Sequence, residues 1–360
     1  MKITDIRTTL VSVPFPKPIA VSTFTLRNRD VVIVEVDTDE GITGTGYMLT
    51  LGRGIHALKA VVDHEIKDLV IGEDPIYRQK IWKKLWWGLN FIGRKGAAIY
   101  AISAIDEALW DIAGKATGQS IQQMLGAYTD RLEAYGGGGW LSYSVEEILQ
   151  EAQNYLEHGF TAYKMRVGLP NWREDVKRVK AVRDTFGDRL EVMVDANQGL
   201  DVATAVLLGR ELEQLGVYWY EEPVHADDIS GLSQIAKTLD MRVTTGETEY
   251  GRFGFKDLIQ QQAADVLQID VQRVGGITEW MRVANTADTW GIKVTPHLFW
   301  ELSVQMCCAV PNSIYIEYMN WLDDFFEELP ILKNGQVHVW DKPGHGLVFR
   351  EDIKKHYQKY

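Results

Sequence analysis

Apolar and polar residues alternate through MKITDIRTTLVSV at the start of the chain, the period of a half-buried strand. VVIVEVDTDEGITGTGYMLT, residues 31–50, continues as strand, Asp/Gly turn and strand. Within it Gly41, Gly44 and Gly46 do not match a dinucleotide fingerprint and no helix follows at once, so they read as turn residues. Residues 55–125 change to helical spacing, clearest in AAIYAISAIDEALWDIAGKATG, which ends on a glycine after Lys115. From about residue 130 short β-rich runs alternate with helical stretches such as REDVKRVKAVRDTF and VATAVLLGRELEQLG. The runs are RLEAYG, TAYKMRV, LEVMVDA, VYWYEEP, MRVTTGE, DVLQIDV, GIKVTPH and SIYIEYM. Eight β runs with helices between them specify a parallel α/β barrel. Beyond residue 330, GQVHVW and GLVFR are strand-like and predict a return to the first domain. The expected division is an α+β domain over 1–125, completed by about 326–360, and a barrel over 126–325.

Composition narrows the field. The chain has 360 residues, 46% hydrophobic and 24% charged, an ordinary globular balance that suits one large domain and a smaller one. No apolar run approaches the roughly 18–20 residues of a membrane span, and the first residues lack a signal peptide's apolar block. Cytoplasm is the default expectation. A formal net charge of −12 argues against nucleic acid or an anionic membrane as partner, because both need a basic face. It leaves room for an anionic small substrate in a locally cationic pocket. The two cysteines, Cys307 and Cys308, are adjacent and suit neither a disulfide framework nor a zinc site, so they read as buried packing residues.

The ionisable residues fall at one phase of the barrel pattern. Lys164 and Arg166 end the second run, Asp195 the third, Glu221 the fourth, Glu247 the fifth, Asp270 the sixth, His297 the seventh and Glu317 the eighth. Barrel active sites lie at the carboxyl ends of the strands, so seven consecutive strands would each deliver an ionisable group to one mouth. Taken singly, each has a plainer reading: Asp195 or Asp270 as a helix cap, Glu221–Glu222 as a solvated loop, Lys164 and Arg166 as partners for nearby carboxylates. Taken together, such groups at one phase are hard to bury unless they act jointly. Asp195, Glu221 and Glu247 on neighbouring strands would repel without a cation, and oxygen-only ligation points to Mg²⁺, with Mn²⁺ the alternative. Asp270 and His297 suit a base and the group that orients it. Lys164 and Arg166, two apart on one strand, point to the same side.

These residues lie in YKMR at 163–166, VDANQ at 194–198, YEEP at 220–223, TTGE at 244–247, LQIDVQRVGGIT at 267–278, TPH at 295–297 and IEY at 316–318. With AISAIDEALWDIAGK in the first domain, they make the chain resemble the enolase superfamily and, within it, the sugar-acid dehydratase-like members of the mandelate racemase subgroup. The resemblance spans essentially the whole chain. It implies a (β/α)7β TIM-like barrel with an α+β capping domain built from both chain ends. It also implies Mg²⁺ on Asp195, Glu221 and Glu247, an Asp270–His297 dyad, and Glu317 as a hydrogen-bonding acid near a substrate carboxylate. His after the seventh strand and Asp after the sixth favour this subgroup over the muconate-cycloisomerase-like one. One position departs from the Lys-x-Lys pattern of the racemase: Arg166 stands where the second Lys would act as a base, and arginine is a poor proton acceptor. Lys164 could take over acid/base work if the adjacent guanidinium lowered its pKa.

The resemblance implies Mg²⁺-dependent removal of a proton α to a carboxylate, giving an enediolate. Dehydration of an aldonate or aldarate to a 2-keto-3-deoxy acid needs only one base, and Arg166 favours it over a racemase or epimerase of a 2-hydroxy acid. A non-catalytic sugar-acid binder would not need a His–Asp dyad. Ser22–Asp30 and Thr50–Gly54 resemble specificity loops, which makes Arg27 and Arg53 candidate substrate-binding residues, though each has a plainer reading as surface arginine; Asn197 is a third candidate, from the barrel. Trp86 and Trp87 either wall the pocket or anchor the capping helices, and Gly136–Gly139 either make room for substrate or form a flexible loop. A homo-oligomer is expected.

Overall fold

The computed structural model describes residues 1–20 and 25–359. Three long strands, β1 (Ile3–Ala20), β2 (Thr25–Thr38) and β3 (Thr43–Thr50), form an antiparallel meander. The run Val31–Val34 is continuously apolar because this sheet is covered on both faces. Val32, Val34 and Val36 pack into the capping-helix core, whereas Val31 and Ile33 belong to the core shared with the barrel. The helix Ala97–Thr117 lies on the first face and stops at Gly118, whose φ of 69° is the left-handed cap that glycine tolerates.

Only Gly41 of the three glycines assigned to turns lies in one, with φ 76°. Gly44 and Gly46 sit inside β3, where a Cβ would overlap the carbonyl oxygens of Ala108 and Ala104 on that helix. The helix can therefore come down onto the strand edge. Among the described residues β3 pairs with β2 alone, and three of its outward amides are satisfied by side chains. Thr45 N–H donates to Asp111 Oδ2 (3.0 Å), Tyr47 N–H to Glu107 Oε2 (3.1 Å) and Leu49 N–H to Gln272 Oε1 (3.0 Å). Strand spacing of two meets helix spacing of four at Glu107 and Asp111, which gives the edge strand a partner of another kind.

All eight runs expected in the barrel are strands: β4 (Arg131–Gly138), β5 (Ala162–Arg166), β6 (Glu191–Asp195), β7 (Trp219–Glu221), β8 (Arg242–Thr245), β9 (Val266–Asp270), β10 (Lys293–His297) and β11 (Ile316–Tyr318). They run parallel in chain order from β4 to β10, and β11 returns to pair with β4. Helices follow the first seven strands, which gives the (β/α)7β plan. Gly136–Gly139 make room for protein and not for a ligand: added Cβ atoms would meet Tyr155, Met319, Glu151 and Met165 in turn.

The tail departs from expectation. β12 (Ile331–Lys333) and β13 (Gln336–His338) form a hairpin whose second strand pairs antiparallel with β4, below its contact with β11. The GLVFR piece contributes only an isolated bridge, Phe326 to Phe349. The chain regains the capping sheet at β14 (Gln358–Lys359), antiparallel to β1 and preceded by the helix Glu351–Tyr357. Alternation in a short strand shows that it is half-buried but not which edge receives it. No helix among the described residues is long and apolar enough to cross a membrane. Cys307 and Cys308 are buried and free.

Candidate active site

The last residues of β6 and β7 and the second residue past β8 are Asp195, Glu221 and Glu247, and their carboxylates converge. One oxygen from each lies within 4.8 Å of the others, and all three side chains are buried. Asn197 fixes Asp195 by donating its backbone N–H to Oδ1 (2.7 Å) and its amide Nδ2 to Oδ2 (2.9 Å). Arg273 steadies Glu247 from the side, its Nη1 donating to the Glu247 carbonyl (2.9 Å) and lying 3.5 Å from Oε1. Glu221 Oε2 is buried without a hydrogen-bond partner among the described residues. Burial pushes Glu221 well above the carboxylate range, and the charges of Asp195, Glu317 and Glu247 add to this against the opposing pull of Lys164. An all-oxygen donor set with mutual repulsion and an unmet acceptor fits a divalent cation of the Mg²⁺ or Mn²⁺ type.

On the next two strands Asp270 divides its oxygens between two tasks. Oδ1 accepts the backbone N–H groups of Gln272 and Arg273, both at 2.8 Å, as a helix cap. Oδ2 lies 2.7 Å from His297 Nδ1. A carboxylate only accepts, so Nδ1 carries a hydrogen, and Nε2, 3.4 Å from Glu247 Oε2, is the nitrogen that gains or loses the titrating proton. Burial alone would push the imidazole down, but the Glu247 charge, the Asp270 hydrogen bond and Glu317 outweigh it and raise its pKa. The residues after it, Leu298 and Phe299, take φ of 49° and 47°, a left-handed pair that turns the chain sharply behind the imidazole.

Lys164 does not match the expectation that Arg166 would lower its pKa. Its ammonium is wholly buried, 2.6 Å from Glu221 Oε1 and 2.7 Å from Glu317 Oε1. Burial and Arg166 act downward, but the two carboxylates prevail and raise the pKa. Glu317 Oε2 also accepts from Leu298 N–H (2.7 Å). Burial pushes Glu317 up, yet Lys164, His297 and Arg166 hold it down at about 2, as an ionised carboxylate. Arg166 remains charged; its Nη1 is 3.3 Å from Asp195 Oδ2.

A cavity of about 680 Å³ opens onto this cluster, and Arg166, Asn197, Glu247, Asp270 and His297 line it. From the cap, Arg27 and the Thr50–Arg53 segment reach the same space. The Ser22–Phe24 part of the first expected loop lies outside the described residues. Trp86 and Trp87 do not wall the cavity: Trp86 stacks on Trp82 with centroids 5.1 Å apart, and Trp87 is exposed. Several lining residues escaped the sequence reading, among them Trp140, Trp321, Tyr100 and Arg273. Tyr100 comes from the capping helix, and its hydroxyl accepts from Arg273 Nε at 2.9 Å. Nothing in the local pattern around these residues marks them, except that Arg273 lies three places past Asp270.

A parallel barrel that carries buried acidic ligands on three successive strands, roofed by an α+β cap, is an enolase-type plan. Residues 147–353 match the family described as Enolase C-terminal domain-like, and residues 5–126 match the Mandelate racemase / muconate lactonizing enzyme, N-terminal domain. The chain belongs to this family. It is 36% identical over 329 residues to an L-talarate/galactarate dehydratase of Salmonella typhimurium, covering 90% of this chain and 82% of the relative. It is 32% identical over 345 residues to a 3,6-anhydro-alpha-L-galactonate cycloisomerase of Streptomyces coelicolor, covering 95% and 96%. The crystal structure of a racemase from Streptomyces coelicolor A3(2) with bound magnesium superposes with a TM-score of 0.96 at 32% identity, over 99% of this chain and 100% of that one.

Proposed function

We propose that the protein is a Mg²⁺-dependent dehydratase that converts an aldonate or aldarate into a 2-keto-3-deoxy acid. The observation that carries this reading is the asymmetry of the mouth: an oriented imidazole on one side and an arginine, not a second base, on the other. His297 Nε2 takes the α-proton, and Asp270 balances the imidazolium that results. The electron pair left on the α-carbon passes into the substrate carboxylate, where Arg166 meets the charge. Lys164 keeps Glu317 ionised beneath it and offsets part of the burial penalty on Glu221. When bound on Asp195, Glu221 and Glu247, Mg²⁺ supplies a Lewis acid for that same charge. The pair then returns to form a carbon–carbon double bond as the β carbon–oxygen bond breaks. The His297 proton leaves with the hydroxyl as water, and the enol becomes the ketone.

The substrate class is supported by the relative that acts on talarate and galactarate and by the cavity's cap side, where Arg27 and Arg53 suit a distal carboxylate or hydroxyls and Asn197 a nearer oxygen. The cap, residues 1–125 with the segment 351–359, closes the mouth of the barrel, residues 126–325 with the β12–β13 hairpin on β4. A non-catalytic binder would have no use for the oriented imidazole. The test is a panel of aldonic and aldaric acids with Mg²⁺, assayed for 2-keto acid and optical rotation together. One acid should yield ketone. Rotation change without ketone points to an epimerase, and silence across the panel overturns the sugar-acid reading.

Two further expectations belong to this proposal. The exposed Trp87, Phe91, Ile92 and Phe253 support a homo-oligomer, which light scattering tests. The buried free thiols suit a cytoplasmic setting, which cell fractionation tests.

A further inference from the structure

Arg166 is a buried guanidinium whose Nε and Nη1 have no hydrogen-bond partner in good geometry among the described residues. It approaches Asp195 at 3.3 Å, Nη1 to Oδ2. The guanidinium carbon lies over the Trp140 ring, 4.9 Å from its centroid. The two residues are tied at the backbone as well. Arg166 N–H donates to the Gly139 carbonyl at 3.1 Å. Arg178 donates from Nη1 to the Arg166 carbonyl (2.8 Å) and from Nη2 to the carbonyls of Gly139 and Trp140 (both 2.9 Å). One buried side chain thus sets the spacing between the strand end that bears the cation and the strand end that bears the indole.

Trp140 is also tied to the cap, through Trp321. It stacks on Trp321, with centroids 6.0 Å apart and planes at 24°. The Trp321 carbonyl accepts from Nη1 of Arg29 on β2 at 2.6 Å, and Arg29 pairs with Asp324 at 2.7 Å.

We infer that Trp140 is a positioning residue for Arg166: its indole face fixes the guanidinium plane toward the substrate carboxylate, a duty that hydrogen bonds do not perform at this site. A guanidinium is planar, weakly hydrated and suited to an aromatic face, whereas the compact ammonium of a lysine is oriented less by one. The inference rests on the reading of Arg166 as the cation that meets the developing charge.

The test is a double-mutant cycle in the full-length enzyme with Mg²⁺, on the sugar acid that the panel identifies. Trp140→Leu should lower kcat roughly tenfold, the size of a desolvated cation–π contact, with KM within about twofold. Trp140→Phe, which keeps an aromatic face, should recover most of the rate. In an Arg166→Met background, Trp140→Leu should add less than about a twofold loss, because there is no guanidinium left to orient. Trp140→Met keeps bulk without a π face and carries the same comparison if the leucine variant does not fold. A crystal structure of Trp140→Leu gives a readout apart from turnover: the guanidinium should leave its plane beside Asp195. The inference is overturned if that plane is unchanged, if the loss multiplies equally in both backgrounds, or if KM moves in place of kcat. If Arg166→Met itself keeps normal turnover, the reading of Arg166 fails and takes this inference with it. If Arg166→Met is crippled and Trp140→Leu is silent, the role of Trp140 alone fails.

Discussion

Two groups of buried acids stand in this molecule, and they are handled in opposite ways. On the capping helix, Asp106, Glu107 and Asp111 have a donor at every oxygen. Thr278 serves Asp106 through its N–H and hydroxyl (2.8 and 2.6 Å). Ser103 and the Tyr47 N–H serve Glu107, and Thr45 N–H, Lys115 and the His345 N–H serve Asp111. Burial pushes Asp106 up to about 7 and Glu107 up to about 8. At the barrel mouth, Asp195, Glu221 and Glu247 crowd together with one oxygen left unmet, and Arg166, Lys164 and Arg273 each bear on one of them from outside the cluster. Both groups are buried and both contain carboxylates with raised pKa values. Perturbation therefore does not mark function by itself; converging, unsatisfied acceptors do.

The sharpest way to break this contrast is to neutralise the mouth. Glu247→Gln, Asp195→Asn or Glu221→Gln should each cost more than about a thousandfold in rate, since the bound cation contributes several kcal/mol. In a chelator, calorimetry should find their melting temperatures no lower than wild type, because a repulsion has been relieved. Full turnover of any of them would end the assignment. Next comes His297→Asn, with an expected loss of about 10²–10⁴ and no exchange of the substrate α-proton in D₂O by NMR. Persistent exchange would move the base elsewhere. Arg166→Met should cost roughly a hundredfold, about the 3 kcal/mol typical of one such donor. Arg166→Lys should keep part of the rate and begin to interconvert stereoisomers, which chiral chromatography of the products would reveal.

The smallest effect on turnover belongs to the cap. Glu107→Ala should leave kcat within a few-fold yet destabilise the fold by about 1–3 kcal/mol, as it strands the Tyr47 N–H. The pH dependence has a definite sign. Folded Glu107 keeps its proton up to about 8, and an unfolded carboxyl releases it near 4.5. The folded state therefore binds the extra proton across that window, and stability present at acid pH is lost as pH rises through 8. Melting temperature should fall between pH 5 and pH 8 and level off above, and Glu107→Gln should flatten the slope. An unchanged slope would mean that Glu107 is ionised in place.

Much of this was readable before any coordinates. The switch from alternating to helical period, and then to short runs between helices, located every barrel strand, because a strand covered on both faces must be apolar throughout. The phase of Asp195, Glu221, Glu247, Asp270 and His297 followed, since strand ends in a parallel barrel share one rim. Other features depended on contacts between distant segments. The β12–β13 hairpin could have joined either sheet. Gly44 and Gly46 resembled turn glycines because the helix that descends on them is about 60 residues further along. The sign of the Lys164 shift needed the depth at which two carboxylates meet it, and no spacing encodes that. Trp140 carried no signal at all, as an indole after a glycine run is as often packing as anything else.

The Leu49–Gln272 hydrogen bond has a consequence for modular exchange. Gln272 follows Asp270 by two residues, so the amide that completes the cap's edge strand grows from the same turn that aims His297. Gln272 Nε2 returns the bond to the Tyr47 carbonyl at 3.2 Å. The roof is thus stitched to the reaction centre on this side by two hydrogen bonds. Both bonds are to backbone atoms of the cap, so a transplanted cap would have to keep the course of its edge strand past Gln272, whatever side chains it carries. A chimera whose edge strand ran elsewhere would strand the Gln272 amide beside the turn that aims the imidazole.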